Sequence, residues 1–280
     1  MSEGTHYAFQ TSWGANRIDG GTRFRLWAPG VEQIELAVEP AGAERRFVAM
    51  ARDDAGWWQV DTDQVAVGGA YGFRVGGGLV VPDPAARAQV CGVHGLSKLV
   101  DPTAYGWRTP EWKGRPWQET VFYELHTGTF TPQGTFDAVI DKLDHLRDLG
   151  ITAVELMPVA QFAGNRGWGY DGVLLYCPHP AYGGVEGLKR LVDAAHERGL
   201  MVFLDVVYNH FGPDGNYLGA YAQEFFHPEI HTAWGAAIAY DETPVREFMI
   251  QNALFWLEEY RIDGLRLDAI DSIRDTTDAP

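Results

Sequence analysis

Cysteine is nearly missing from this sequence: Cys91 and Cys177 are the only two in 280 residues. They lie far apart and in no metal-like spacing, so neither a disulfide framework nor a zinc site has support, and two free thiols are expected. Basic residues are also scarce. Against 38 Asp and Glu stand 22 Lys and Arg, a net charge of −16. Nucleic acid and anionic lipid are bound by clustered Lys and Arg that this sequence does not show, so both are excluded as expected partners and a neutral ligand fits better. No run approaches the roughly 18 consecutive apolar residues of a membrane span. The opening Met1-Ser2-Glu3-Gly4-Thr5-His6 has neither the basic nor the apolar segment of a secretory leader, and a cytoplasmic location is expected.

What is present is an apolar fraction of 46%, enough for a buried core. Ten Trp, 12 Tyr and 14 Phe raise the aromatic share to 13%. Aromatic faces stack on the apolar faces of sugars, but most aromatics fill cores, so this count alone favours a carbohydrate ligand only slightly.

Short β-type runs occupy the first ninety or so residues: 22–27, 33–38, 57–60 and 70–75, separated or followed by Pro29-Gly30, Gly68-Gly69 and Gly76-Gly77-Gly78. That rhythm predicts a β-sandwich over residues 1–95. A connector runs from about Pro82 to Trp117, where Pro82, Pro84, Pro102, Pro110 and Pro116 deny a long helix, and the domain boundary falls inside it, with 96–117 assigned to neither domain. Over 118–280 the pattern becomes strand then helix. Strands are predicted at 121–125, 151–157, 200–204 and 262–267. Phe136, Val139, Ile140, Leu143, Leu146 and Leu149 predict one continuous helix, Leu188, Leu191, Val192 and Ala195 a second, and Thr243-Pro244 starts a third with Thr243 as its N-cap. Such alternation requires a parallel sheet, open or closed into a (β/α)8 barrel, and periodicity does not choose between them.

In either architecture ligands bind at the carboxyl ends of the strands. Those ends carry Glu124 and His126, Met157-Pro158, Asp205 with Asn209-His210, and Arg266 with Asp268. Because side chains alternate along a strand, Arg266 and Asp268 share a face and Leu267 takes the other. Arg266 is thereby placed to hold Asp268 ionised, a state suited to attack on a glycosidic carbon. An ordinary ion pair at a strand end is the alternative reading of the same tripeptide.

The longer strings carry a resemblance. Asp205-Val206-Val207-Tyr208-Asn209-His210 and Gly264-Leu265-Arg266-Leu267-Asp268-Ala269 are similar, in order and spacing, to two signature regions of the α-amylase superfamily, glycoside hydrolase family 13. Pro82 to Gln89, Gly92-Val93-His94-Gly95, Glu124 to Thr131, Asn209 to Leu218 and Trp234 to Ile238 resemble blocks of its maltooligosyltrehalose trehalohydrolase branch. The resemblance implies a multidomain fold, a glucan-binding sandwich followed by the first half of a (β/α)8 TIM barrel. It also implies a retaining hydrolase that releases trehalose from maltooligosyltrehalose, with no cofactor and no metal.

Residue by residue, it makes Asp268 the nucleophile, Arg266 its orienting partner and Asp205 a brace. His210 would hydrogen-bond the sugar at the cleaved bond, Tyr170 would stack on it, and Trp168 and Trp234 would contribute to substrate binding. Val90-Cys91 and Asp271 depart from the branch's pattern, which bears on specificity. The family's general acid follows a fifth strand, so it is expected to be absent from residues 1–280, and the chain alone is expected to be inactive. The rival readings are a branching or debranching enzyme of the superfamily and, from another class, a non-catalytic glucan-binding fragment.

Overall fold

A computed structural model describes residues 6–40 and 42–277. Met1 to Thr5, on which the absence of a leader was read, and the last three residues of the 118–280 segment lie outside the described residues.

Two antiparallel sheets form the N-terminal unit. One orders its strands as Gly14–Ile18, Gly21–Trp27, Trp57–Thr62 and Ala51–Arg52. The other runs Arg46–Ala49, Ile34–Glu39, Ala70–Val75 and Leu79–Val81, with Ser97–Lys98 also pairing onto Ala70–Val75. Alternation buries Phe24 and Leu26 from the first sheet against Tyr71 and Phe73 from the second, and the Phe24 and Tyr71 rings meet at 4.9 Å. Each such side chain contributes roughly 2 kcal/mol of apolar burial. The strand at Ser97–Lys98 carries the sheet into the 96–117 segment.

The second unit contains four parallel strands in the order Phe122–Leu125, Ala153–Leu156, Met201–Val206 and Gly264–Leu267. They match the four sequence-predicted strands, and neighbours in sequence are neighbours in the sheet, as in the successive units of a barrel. Helices Gly184–Glu197 and Thr243–Glu258 form two of the crossovers. The first crossover is not the single helix expected. It is split into Phe136–Ile140 and Leu143–Asp148 by a tight turn at Asp141 and Lys142, whose ψ angles of −14° and −8° keep the chain near helical geometry. The apolar spacing therefore runs on across a break that it does not register.

Thr243 is also not the N-cap. Glu242 occupies that position in extended backbone, its carbonyl accepts from the amides of Val245 and Arg246, and no side chain caps the helix. Two hairpins decorate the carboxyl side of the sheet: Ala160–Gln161 with Leu174–Pro178, and Phe226–Thr232 with Gly235–Ile238.

The two units share one core. Trp13, fully buried, sits edge-on to Trp57 at 4.9 Å on the sandwich side and to Phe248 at 5.0 Å on the barrel side. Beside it, Arg87 from the connector reaches the buried carboxylate of Glu259 at 3.0 Å and also donates to the carbonyls of Phe9 and Ala15. Further along, Lys189 donates to the Pro102 carbonyl, Asp193 accepts from the Tyr105 and Thr109 hydroxyls, and Trp112 Nε1 donates to Asp263 at 2.7 Å. The connector is bonded to the barrel along its length.

Candidate active site

The pairing register of the third and fourth barrel strands puts Asp205 directly beside Arg266. Both side chains therefore leave the sheet on the same face, near the carboxyl end. Arg266 Nη1 donates to Asp205 Oδ1 at 3.1 Å, to Asp205 Oδ2 at 3.0 Å and to Asp268 Oδ1 at 2.5 Å. The period-two reading of Arg266 and Asp268 thus corresponds to a direct contact. The Asp268 amide donates to the Val206 carbonyl, which anchors the residue just past the strand. Ala269 then turns the chain in the left-handed region, at φ 42°.

Asp205 is fully enclosed. Burial raises its pKa, while hydrogen bonds from Tyr170 and Arg266 oppose that shift. The Arg266 pKa is raised, first by its bond to Asp268, so the guanidinium is a permanent charge in the site. Asp268 keeps 19% of its side-chain surface open and Arg266 45%, whereas Asp205 keeps none. Of the two aspartates, Asp268 is the one a ligand reaches.

Tyr170 donates its hydroxyl to Asp205 Oδ2 at 2.9 Å, and burial together with that carboxylate raises its pKa. His210 lies 2.9 Å through Nε2 from the Tyr170 carbonyl and 2.8 Å through Nδ1 from the Asn209 amide. The tautomer that satisfies both carries its proton on Nε2. Burial lowers the His210 pKa, which favours this neutral form. Both ring nitrogens have protein partners, so a bond from His210 to a sugar requires the Tyr170 carbonyl to give up its share. Trp234, on the 226–238 hairpin, lies flat on the His210 ring, 4.6 Å away with 7° between planes, and remains half exposed.

Six of the seven sequence-proposed residues thus converge: Asp205, Arg266, Asp268, Tyr170, His210 and Trp234. Trp168 does not join them. Its ring, 73% exposed, leans toward His126 over a cleft of about 650 Å3 that Thr129, Asn165, Arg166 and Tyr182 also line. Glu124 and Glu155 are paired in register on the first two barrel strands, and Glu155 has its pKa raised by burial, by Glu124 and by Asp205. Asp271 is exposed. Sequence reading placed Asn209 at the strand end but gave it no role, whereas it fixes the His210 ring, and it did not single out the left-handed Ala269. An asparagine beside a candidate histidine was a usable signal; an alanine at positive φ leaves none.

Comparison with known proteins finds matches for both units. The family described as carbohydrate-binding module 48 (isoamylase N-terminal domain) matches residues 12–93, and the alpha amylase catalytic domain matches residues 119–234. The malto-oligosyltrehalose trehalohydrolase of Deinococcus radiodurans is 44% identical over 276 residues, 98% of this chain and 45% of its own length. That of Saccharolobus solfataricus is 42% identical, over 95% of this chain and 47% of its own. A 1,4-alpha-glucan branching enzyme of Corynebacterium jeikeium is 31% identical over 98% of the chain and 41% of its own length. A solved Salmonella typhimurium structure described as an alpha amylase superposes with a TM-score of 0.92 at 52% identity, covering 96% of this chain and 46% of that one.

The chain spans about half the length of the curated relatives it matches. Its sandwich matches the carbohydrate-binding module 48 family, its barrel strands up to residue 234 match the alpha amylase catalytic domain, and over nearly all of its length the chain is similar to malto-oligosyltrehalose trehalohydrolases.

Proposed function

We propose that this chain supplies the nucleophile half of a retaining glycoside hydrolase that cleaves the α-1,4 bond next to the terminal trehalose of maltooligosyltrehalose. The observation that carries the reading is the Asp205–Arg266–Asp268 contact, flanked by Tyr170, His210 and Trp234. One guanidinium between two carboxylates leaves a net charge of −1 facing the ligand. That charge is complementary to the positive character developing on the anomeric carbon. Asp268, the open carboxylate, attacks that carbon. Arg266 orients it, and Asp205 keeps Arg266 in place.

Retention requires a second carboxyl group about 5 Å away to protonate the leaving oxygen. We assign none of the described carboxyls that role. Asp205 is enclosed and accepts hydrogen bonds at both oxygens, so it has no access to a leaving group. Identity above 40% to trehalohydrolases, against 31% to the branching enzyme, supports the trehalose-releasing reading.

The test is to place residues 1–280 in a polypeptide of the relatives' length and assay maltotetraosyltrehalose against branched glucan. The expected result is free trehalose from the first, abolished by Asp268→Asn with glucan binding retained, a loss of many orders of magnitude in rate. Near-normal turnover by Asp268→Asn would remove Asp268 from this role, and preferential action on branched glucan would favour the branching or debranching reading.

A further inference from the structure

Two sequence strings left without a role, Gly92-Val93-His94-Gly95 in the connector and Phe211 to Leu218 after the third barrel strand, meet in the fold. His94 lies 2.7 Å through Nδ1 from the Tyr217 hydroxyl and 3.1 Å through Nε2 from Asp214 Oδ1. The neutral imidazole with its hydrogen on Nε2 serves both: it donates to the carboxylate and accepts from the phenol. The His94 and Tyr217 rings also meet edge to face at 5.9 Å.

One residue earlier, Val93 is buried with Val173, Leu174 and Cys177 and packs against the backbone at Gly215. Gly215 has φ 92°, and a Cβ there would stand 2.4 Å from the Val93 side chain, so only glycine admits the contact. The loop held in this way begins at Asn209 and His210, which face the Asp268 cluster.

We infer that His94 is a positioning residue. From the connector it clamps the 209–218 loop at Asp214 and Tyr217, with Val93 as the seat, and thereby holds Asn209 and His210 over the site. The part of this inference that concerns glucan affinity rests on the proposed function; the clamping of the loop does not.

The test uses residues 1–280 within a polypeptide of the relatives' length, the His94→Ala and His94→Gln variants, and Tyr217→Phe as an independent cut of the same clamp. Amide hydrogen exchange is read across residues 209–218, and affinity for maltotetraose is read by calorimetric titration. Losing surface-exposed hydrogen bonds of this kind predicts His94→Ala to raise exchange several-fold in that loop alone and to weaken maltotetraose by about fivefold. Tyr217→Phe should give a smaller effect of the same kind, and His94→Gln should recover part of both.

Unchanged exchange in the loop overturns the clamp. So does a rise spread over the whole chain, which would mark a purely structural role. Local exchange that rises while affinity stays at the wild-type value overturns the positioning of the site. If the unaltered chain binds no maltotetraose, the glucan reading fails on its own, and the exchange pattern still decides the clamp.

Discussion

Replacing Arg87 with Met should cost this chain about 4 kcal/mol of stability. Its guanidinium makes three contacts of 3.0–3.1 Å with Glu259 and caps the carbonyls of Phe9 and Ala15. Glu259 is fully buried. Once Arg87 is gone, the Glu259 carboxylate keeps, among the described residues, only the Phe9 amide at 3.2 Å and the ammonium of Lys189 at 3.9 Å. Breaking a buried pair by removing one partner costs about 3–5 kcal/mol, because the remaining charge is desolvated without compensation. The two carbonyls lose roughly 1 kcal/mol each of hydrogen bonding, and the nearby lysine offsets part of the total.

A domain's stability is typically about 5–15 kcal/mol, so the change takes away a large share. Urea unfolding followed by circular dichroism reads it as a lowered midpoint. The double variant Arg87→Met/Glu259→Leu, with no buried charge left over, should regain at least half of the loss. A single variant that loses under about 1 kcal/mol, or a double variant no better than the single, would refute the argument that this ion pair joins sandwich to barrel.

Three other outcomes are expected. Burial raises the Asp83 pKa to about 6 against an ordinary 3.8, even though it accepts from the Tyr71 hydroxyl and the Ala85 amide. The folded state therefore holds this proton more tightly, and its contribution of about 3 kcal/mol is fully present below pH 4 and lost as pH rises through 6; the difference in melting temperature between pH 5 and pH 7.5 should shrink in Asp83→Asn, and an unchanged difference would refute it. Tyr170→Ala should weaken maltotetraose binding about fivefold, as expected for roughly 1 kcal/mol of aromatic contact, whereas an effect well under twofold would reduce Tyr170 to packing. Residues 1–280 alone should release no trehalose, and with Leu267 and Ile270 exposed beside an edge strand they should self-associate in light scattering; a monodisperse, trehalose-releasing preparation would contradict both.

The four barrel strands were legible because each is a short apolar run closed by a polar end, and the Arg266 and Asp268 pairing because alternation alone dictates it. The signature strings placed His210 and Asp205 around them. Less was legible where structure depends on partners distant in sequence. Arg46–Ala49, Ala51–Arg52 and Leu79–Val81 are strands only because neighbouring strands offer hydrogen bonds; they run two to four residues, too short for alternation to register, and most of their residues are exposed. The strand Phe226–Thr232, whose hairpin brings Trp234 onto His210, carries Pro228 and interleaved histidines and gave no strand signal. Trp168 stands two residues before Tyr170 and yet lines the cleft beside His126, with Gly169, at φ 95°, turning the chain between them.

The connector is more a girdle than a tether. It joins the flank of the barrel through Arg87, the carboxyl-end loops through His94, and the amino-end floor beneath the fourth strand through Trp112 and Asp263. A segment fixed at both ends of a barrel leaves the module no axis on which to turn, unlike the small polar joints that let most neighbouring domains rock against each other. Torque applied to the sandwich is therefore delivered to the rim of the site and to its base together.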